Sequence, residues 1–83
     1  MIKIKFIKVG NKVIAYDDNM IVGECQFTEF YDTWNIINTV VKFEYRNLGV
    51  AKKMVECIVN HAKKDNKSIK ADCSYAKKII SKI

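Results

Sequence analysis

The sequence predicts an α+β fold, a mixed α/β sheet with helices packed on it, in the order ββββαβα. Two observations carry this. Up to residue 43 the chain alternates at period two between turn signals, and from Gly49 onward its apolar residues recur at helical spacing. At 83 residues, 49% apolar and 29% charged, the chain is expected to form one globular domain, 1–83, rather than a disordered or low-complexity segment.

In the first strand Ile2, Ile4 and Phe6 alternate with Lys3 and Lys5. Gly10-Asn11 supplies a tight reversal into a second strand, Lys12–Tyr16. Asp17-Asp18-Asn19 turns the chain into a long third strand, Met20–Phe30, in which Gly23 is a candidate bulge. After Tyr31-Asp32-Thr33 comes a fourth strand, Trp34–Phe43, and the four make an antiparallel meander. Val50, Ala51, Met54, Val55, Ile58, Val59 and Ala62 then share one side of a helical wheel opposite Lys52, Lys53, Glu56, Asn60, Lys63 and Lys64, so a helix runs to Asp65-Asn66. Ser68–Cys73 reads as a fifth strand, which a helical crossover allows to pair parallel with the fourth. Tyr75, Ala76, Ile79, Ile80 and Ile83 line one face of a closing helix, with Asp72 or Ser74 as N-cap.

Composition excludes several functions. No apolar run approaches the roughly 20 residues that span a bilayer, and the alternating start has no apolar secretion-signal core, so no membrane and a cytoplasmic address are expected. The net charge of +6 attracts anions, whether nucleic acid, headgroups or a phosphorylated cofactor. Every basic residue except Arg46 is lysine, however, and lysine lacks the bidentate fork used for base readout, which argues against nucleic acid as the partner. Cys25, Cys57 and Cys73 are odd in number and spaced 32 and 16 apart, neither a disulfide framework nor a zinc pattern, and His61 is the only histidine. Reduced thiols and no metal site are expected.

The junction Arg46-Asn47-Leu48-Gly49-Val50-Ala51 is the most informative stretch. A helix start presents unpaired N–H groups and partial positive charge, Gly49 leaves room for a ligand to approach the backbone, and Arg46, Lys52 and Lys53 add charge. The same residues also read as an ordinary helix start. Arg46-x-x-Gly49-x-Ala51 fits the R/Q-x-x-G-x-G/A pyrophosphate motif of the GCN5-related N-acetyltransferases (GNAT), and the chain resembles the short, single-domain, YjdJ-like branch of that family. Three blocks carry the resemblance: Gly23-Glu24-Cys25-Gln26-Phe27; Ile37–Val41 with Glu44-Tyr45-Arg46 through Val55; and Cys73-Ser74-Tyr75-Ala76-Lys77-Lys78. Asn38 stands where that branch often has His, Phe43 where it often has Pro and Asn47 where it often has Gly.

The resemblance implies an acetyl-CoA-dependent N-acetyltransferase, with a monomer or homodimer both open. The CoA pyrophosphate would lie on Arg46, Asn47, Leu48, Gly49, Val50, Ala51 and Lys52, and the pantetheine arm along the edge formed by Asn38, Thr39, Val40 and Val41, between splayed fourth and fifth strands. The thioester would come close to Cys73. That residue could take the acetyl group as a thiolate, protonate the departing CoA sulfur as a thiol, or simply fill space. Tyr75 is the alternative acid, and packing suits it equally. The acceptor is an amine or a protein lysine that the sequence does not specify. The alternative functions are a CoA- or acyl-CoA-binding module without efficient catalysis and, after it, a small basic nucleic-acid-binding domain.

Overall fold

A computed structural model describes residues 1–82. The alternating segments form β1 (Ile2–Ile7), β2 (Lys12–Asp17), β3 (Met20–Phe30) and β4 (Thr33–Val41), followed by α1 (Val50–Lys64), β5 (Ser68–Ala71) and α2 (Ser74–Ser81). One five-stranded sheet has the order β1-β2-β3-β4-β5, antiparallel throughout except for β5, which lies parallel to β4. This is the mixed sheet with two helices that the periodicity predicts.

Alternation decides which face is covered. Val13 and Ala15 of β2, Cys25 and Phe27 of β3 and Trp34 and Ile36 of β4 pack in one cluster with Val50, Met54, Val55, Ile58, Val59 and Ala62 of α1 and Ala76 and Ile79 of α2. Phe27 stacks on Trp34 at 4.6 Å between ring centres, and Phe6 stacks on His61 at 3.8 Å. His61 also places Nδ1 2.9 Å from the Cys57 carbonyl, so the lone histidine is a structural residue. Helix α1 ends in a Schellman arrangement in which Asn66, at φ 58°, takes the left-handed position. The Lys67 and Asn66 N–H groups donate back to the Ala62 and Lys63 carbonyls at 2.8 and 3.1 Å.

Several local expectations are corrected. The reversal at Gly10-Asn11 is a 3-10 turn over Lys8–Gly10, closed by Asn11 in the left-handed region at φ 51°. Gly23 is not the bulged residue: it pairs with Ala15, and Val22 is the extra residue between that pair and Tyr16↔Ile21. What Gly23 provides is space, since a Cβ there would lie 3.0 Å from Met54 Cε and 3.2 Å from the Val40 carbonyl oxygen. The fourth strand stops at Val41, and Phe43–Tyr45 forms a 3-10 turn. The fifth strand stops at Ala71, because the Asp72 and Cys73 N–H groups both turn to the Ile36 carbonyl, at 3.0 and 3.3 Å. Neither Asp72 nor Ser74 caps α2; Cys73 occupies that position. Ile83, placed by periodicity on the apolar face of the last helix, lies outside the described residues.

Candidate active site

A second irregularity shapes the site. Ile37 is the extra residue between Phe27↔Ile36 and Gln26↔Asn38, and it falls where the β4–β5 ladder has its last pair, Ile36↔Ala71. Beyond it β4 continues to Val41 on its β3 side only, while the chain after β5 turns away into α2. The two parallel strands therefore part, and a cleft of about 460 Å³ opens there. Thr39, Val40 and Val41 form its strand side, Tyr45, Arg46, Asn47, Gly49, Val50 and Ala51 its helix side, and Tyr75 reaches in from α2.

The turn into α1 is built for close approach. Asn47 and Gly49 both sit in the left-handed region, at φ 66° and 79°, a conformation open to Gly at no cost and to Asn at little. Gly49 is the N-cap and therefore offers no side chain to the first amides of α1, and no acidic residue stands in the first turn. A Cβ added at Gly49 would meet nothing within 4 Å. No side chain caps the first amides of α1, the space beside Gly49 is open, and Lys52 and Lys53 follow in the first turn. Arg46 is held at the mouth: its Nε donates to the Val41 carbonyl at 3.4 Å, and its guanidinium lies 5.6 Å from the centre of the Phe43 ring. This donor set suits a pyrophosphate. The residues present therefore fit the ligand that the motif implies.

Tyr45 is the lining residue that sequence reasoning missed. The strand alternation breaks before it, so no face could be assigned to it, although an aromatic next to the motif arginine was the available signal. Its hydroxyl donates to Asp17 Oδ2 at 2.6 Å. That bond, with the amino terminus behind it, holds the Asp17 carboxyl below its ordinary pKa, and the same carboxylate pushes the Tyr45 phenol up. Among the candidates, Asn38, Leu48, Lys52 and Cys73 do not line the cleft. Asn38 pairs with Gln26 and is exposed, and Leu48 is 62% exposed.

Cys73 lies behind the lining rather than in it. Its Sγ is 3.6 Å from Thr39 Oγ1, and Thr39 does line the cleft. Burial alone would raise the pKa of this thiol. The Ala76 N–H, the Thr39 hydroxyl and the Tyr75 and Thr39 N–H groups outweigh that effect and set it below the ordinary value. None of the α2 amides makes a capping hydrogen bond to the side chain as it stands, so their influence is on the thiolate. Cys25, on the other side of Thr39, is fully buried, and desolvation pushes its thiol up to about 11. Burial also raises Cys57. Among the described residues no group of three or more His, Cys, Asp or Glu is placed to hold a metal, and no helix is long and apolar enough to cross a membrane.

A four-stranded meander, a crossover helix and a fifth strand that parts from the fourth define an acetyltransferase-type α+β fold. Residues 12–83 match the family model for GCN5-related N-acetyltransferases, and the chain belongs to that family. Among similar solved structures is one assigned as a GCN5-like N-acetyltransferase from Staphylococcus aureus, 33% identical, with a TM-score of 0.74 over 96% of this chain and 78% of that one. A second, from meticillin-resistant S. aureus and assigned as an acetyltransferase of unknown function, has a TM-score of 0.74 over 99% and 87% at 14% identity, which shows the fold alone. A third, assigned as a streptothricin acetyltransferase from Bacillus anthracis and holding acetyl-CoA, is 28% identical over 68% of this chain and 32% of that one, with a TM-score of 0.62. No curated protein matches the chain significantly in sequence.

Proposed function

We propose that this protein is an acetyl-CoA-dependent N-acetyltransferase that moves an acetyl group to an amine. Family membership supports acetyl transfer in general, and the acetyl-CoA held by the B. anthracis relative supports that donor. The single observation that carries the reading onto this chain is the cleft itself. The uncapped start of α1, opened by Gly49 and flanked by Arg46, faces a strand edge released from its parallel neighbour. In this reading the α1 amides at Val50 and Ala51, with Arg46 and the backbone of Asn47 and Gly49, bind the pyrophosphate. The 39–41 edge of β4 binds the pantetheine amides, as an added strand would.

Cys73 lies 3.6 Å behind the lining residue Thr39, and in this reading the acetyl end of the ligand reaches it beside that side chain. The lowered pKa of Cys73 favours the nucleophile: the thiolate sulfur bonds to the thioester carbonyl carbon, the bond to the CoA sulfur breaks, and the CoA thiolate takes a proton. Attack by an acceptor amine on the acetyl-cysteine would free the Cys73 sulfur. Tyr75 lines the cleft, and in this reading its hydroxyl would donate to the departing thiolate. The acceptor is a small amine or a protein lysine, and the address is the cytoplasm. One observation favours a second reading, a CoA-binding module with little turnover: Asn38 is exposed and outside the cleft, so it supplies no proton relay there.

Intact-mass measurement after mixing with acetyl-CoA tests the reading. An acetyl adduct that disappears in Cys73→Ala, together with CoA release when amines are added, is the expected result. Calorimetric binding of CoA without adduct or turnover supports the second reading. No binding of CoA at all overturns both.

A further inference from the structure

Cys25, Thr39 and Cys73 come from three different elements, β3, β4 and the start of α2, and meet at one oxygen. Thr39 pairs across the ladder with Cys25, which sets both side chains on the helix-covered face. Its Oγ1 lies 3.4 Å from Cys25 Sγ and 3.6 Å from Cys73 Sγ. We propose that Thr39 is a positioning residue, whose hydroxyl, held on one side by the buried Cys25 thiol, fixes the Cys73 sulfur and orients a proton toward it. This rests on the reading of Cys73 as the reacting group.

Donor and acceptor counting gives the direction. A hydroxyl has one proton to donate and lone pairs to accept. With Cys73 as a thiol, its S–H donates to Thr39 Oγ1, and the Thr39 O–H is free to turn to Cys25. With Cys73 as a thiolate, which accepts only, the Thr39 O–H turns to it, and the Cys25 S–H donates to Thr39 Oγ1 in place of the lost bond. Cys25 can serve as that donor because it is fully buried and keeps its proton at neutral pH. The proton that Cys73 gives up leaves for solvent; the Thr39 and Cys25 protons only reorient. The other titratable groups near the trio are few. Cys57 comes from α1, Tyr75 from the first turn of α2. Asp72 is tied to Asn35 Nδ2 at 2.8 Å and has Lys70 and Lys77 beside it. β4 contributes the uncharged Thr39.

The test is the pH dependence of iodoacetamide labelling at Cys73, read by peptide mass in the full chain without CoA. Thr39→Val keeps the β-branched shape suited to the strand and removes only the hydroxyl. The midpoint is expected to move up by about one pH unit, as loss of a hydrogen bond to a charged group implies, with labelling at neutral pH falling several-fold. Thr39→Ser is expected to restore both. A wild-type profile in Thr39→Val, or a Thr39→Ser profile that stays shifted, overturns the proposal. Should Thr39→Val fail to fold, Cys25→Ala reads the other bond and is expected to shift the midpoint up by a smaller amount; no shift overturns the proposal. Because labelling needs no acetyl donor, a shifted profile beside absent acetyl transfer refutes the catalytic reading and leaves the Thr39–Cys73 link standing.

Discussion

Gly49 joins two demands that pull in different directions. Its φ of 79° is a conformation that side chains resist, and its missing Cβ leaves open space above the first amides of α1. Gly49→Ala is the cleaner probe, since left-handed backbone costs an L-residue roughly 1–2 kcal/mol and a methyl group is the smallest obstruction. We expect the fold to survive and CoA affinity to fall at least about tenfold by calorimetry, a loss of about 1.4 kcal/mol or more. Arg46→Ala is expected to weaken CoA while leaving a pantetheine fragment without phosphates unaffected. Equal affinity for CoA in both variants and the parent would place the ligand elsewhere. The position of this turn was legible in the sequence, because Arg46, Gly49 and Ala51 stand at motif spacing before a helical repeat. The left-handed backbone at Asn47 was legible too, since Asn is the non-Gly residue that tolerates it. The contact between Thr39 and Cys73 was not legible, because 34 residues separate them and the β4–β5 pairing with the turn after Ala71 brings them together.

At the scale of elements, the sheet depends on a few places where a regular ladder gives way. Val22 and Ile37 are each one residue too many for the partner strand, and neither carries a signature that separates it from its β-branched neighbours. Gly23 marks the close approach of Met54 of α1 and of the Val40 carbonyl in the next strand, not the bulge beside it. Gly23→Ala is therefore expected to destabilise. Met54 Cε is the far end of a flexible side chain and can give way, but the Val40 oxygen is backbone in the next strand and cannot move without the sheet. The expected loss is about 1–3 kcal/mol, typical of overpacking, seen as a lower midpoint in urea with an unchanged slope. A midpoint equal to that of the parent would mean that α1 shifts freely over β3.

For the whole molecule, the bond from Tyr45 to Asp17 ties the end of β2 to the segment leading into α1, across 28 residues of chain. Because this carboxyl has a lowered pKa in the folded state, its contribution is present above the ordinary carboxylate pKa of about 3.9 and is lost as pH falls through the lowered value. The Tyr45 phenol, raised in the folded state, contributes below its ordinary value and loses that contribution as pH rises through the raised one. Tyr45→Phe is expected to melt at a lower temperature than the parent at neutral pH, with the gap closing as the acid range is entered. A gap of the same size at pH 7 and pH 2.5 would show that the lost stability comes from packing of the ring rather than from the bond.

Local periodicity determined which segments are strands and which are helices, and which residues face the core, because those properties depend on neighbours within a few positions. The alternation of Ile2, Ile4 and Phe6 and the helical repeat from Val50 to Ala62 are legible for that reason, as is the glycine-bearing turn between strand and helix. Tertiary structure alone decided where the parallel strands part, that Tyr45 joins the cleft and is anchored by Asp17, that Cys73 rather than Asp72 or Ser74 takes the position before α2, and that one threonine hydroxyl meets two thiols. Each depends on register or on the docking of distant segments. A single extra residue such as Ile37 changes the register without changing the composition of the strand that carries it.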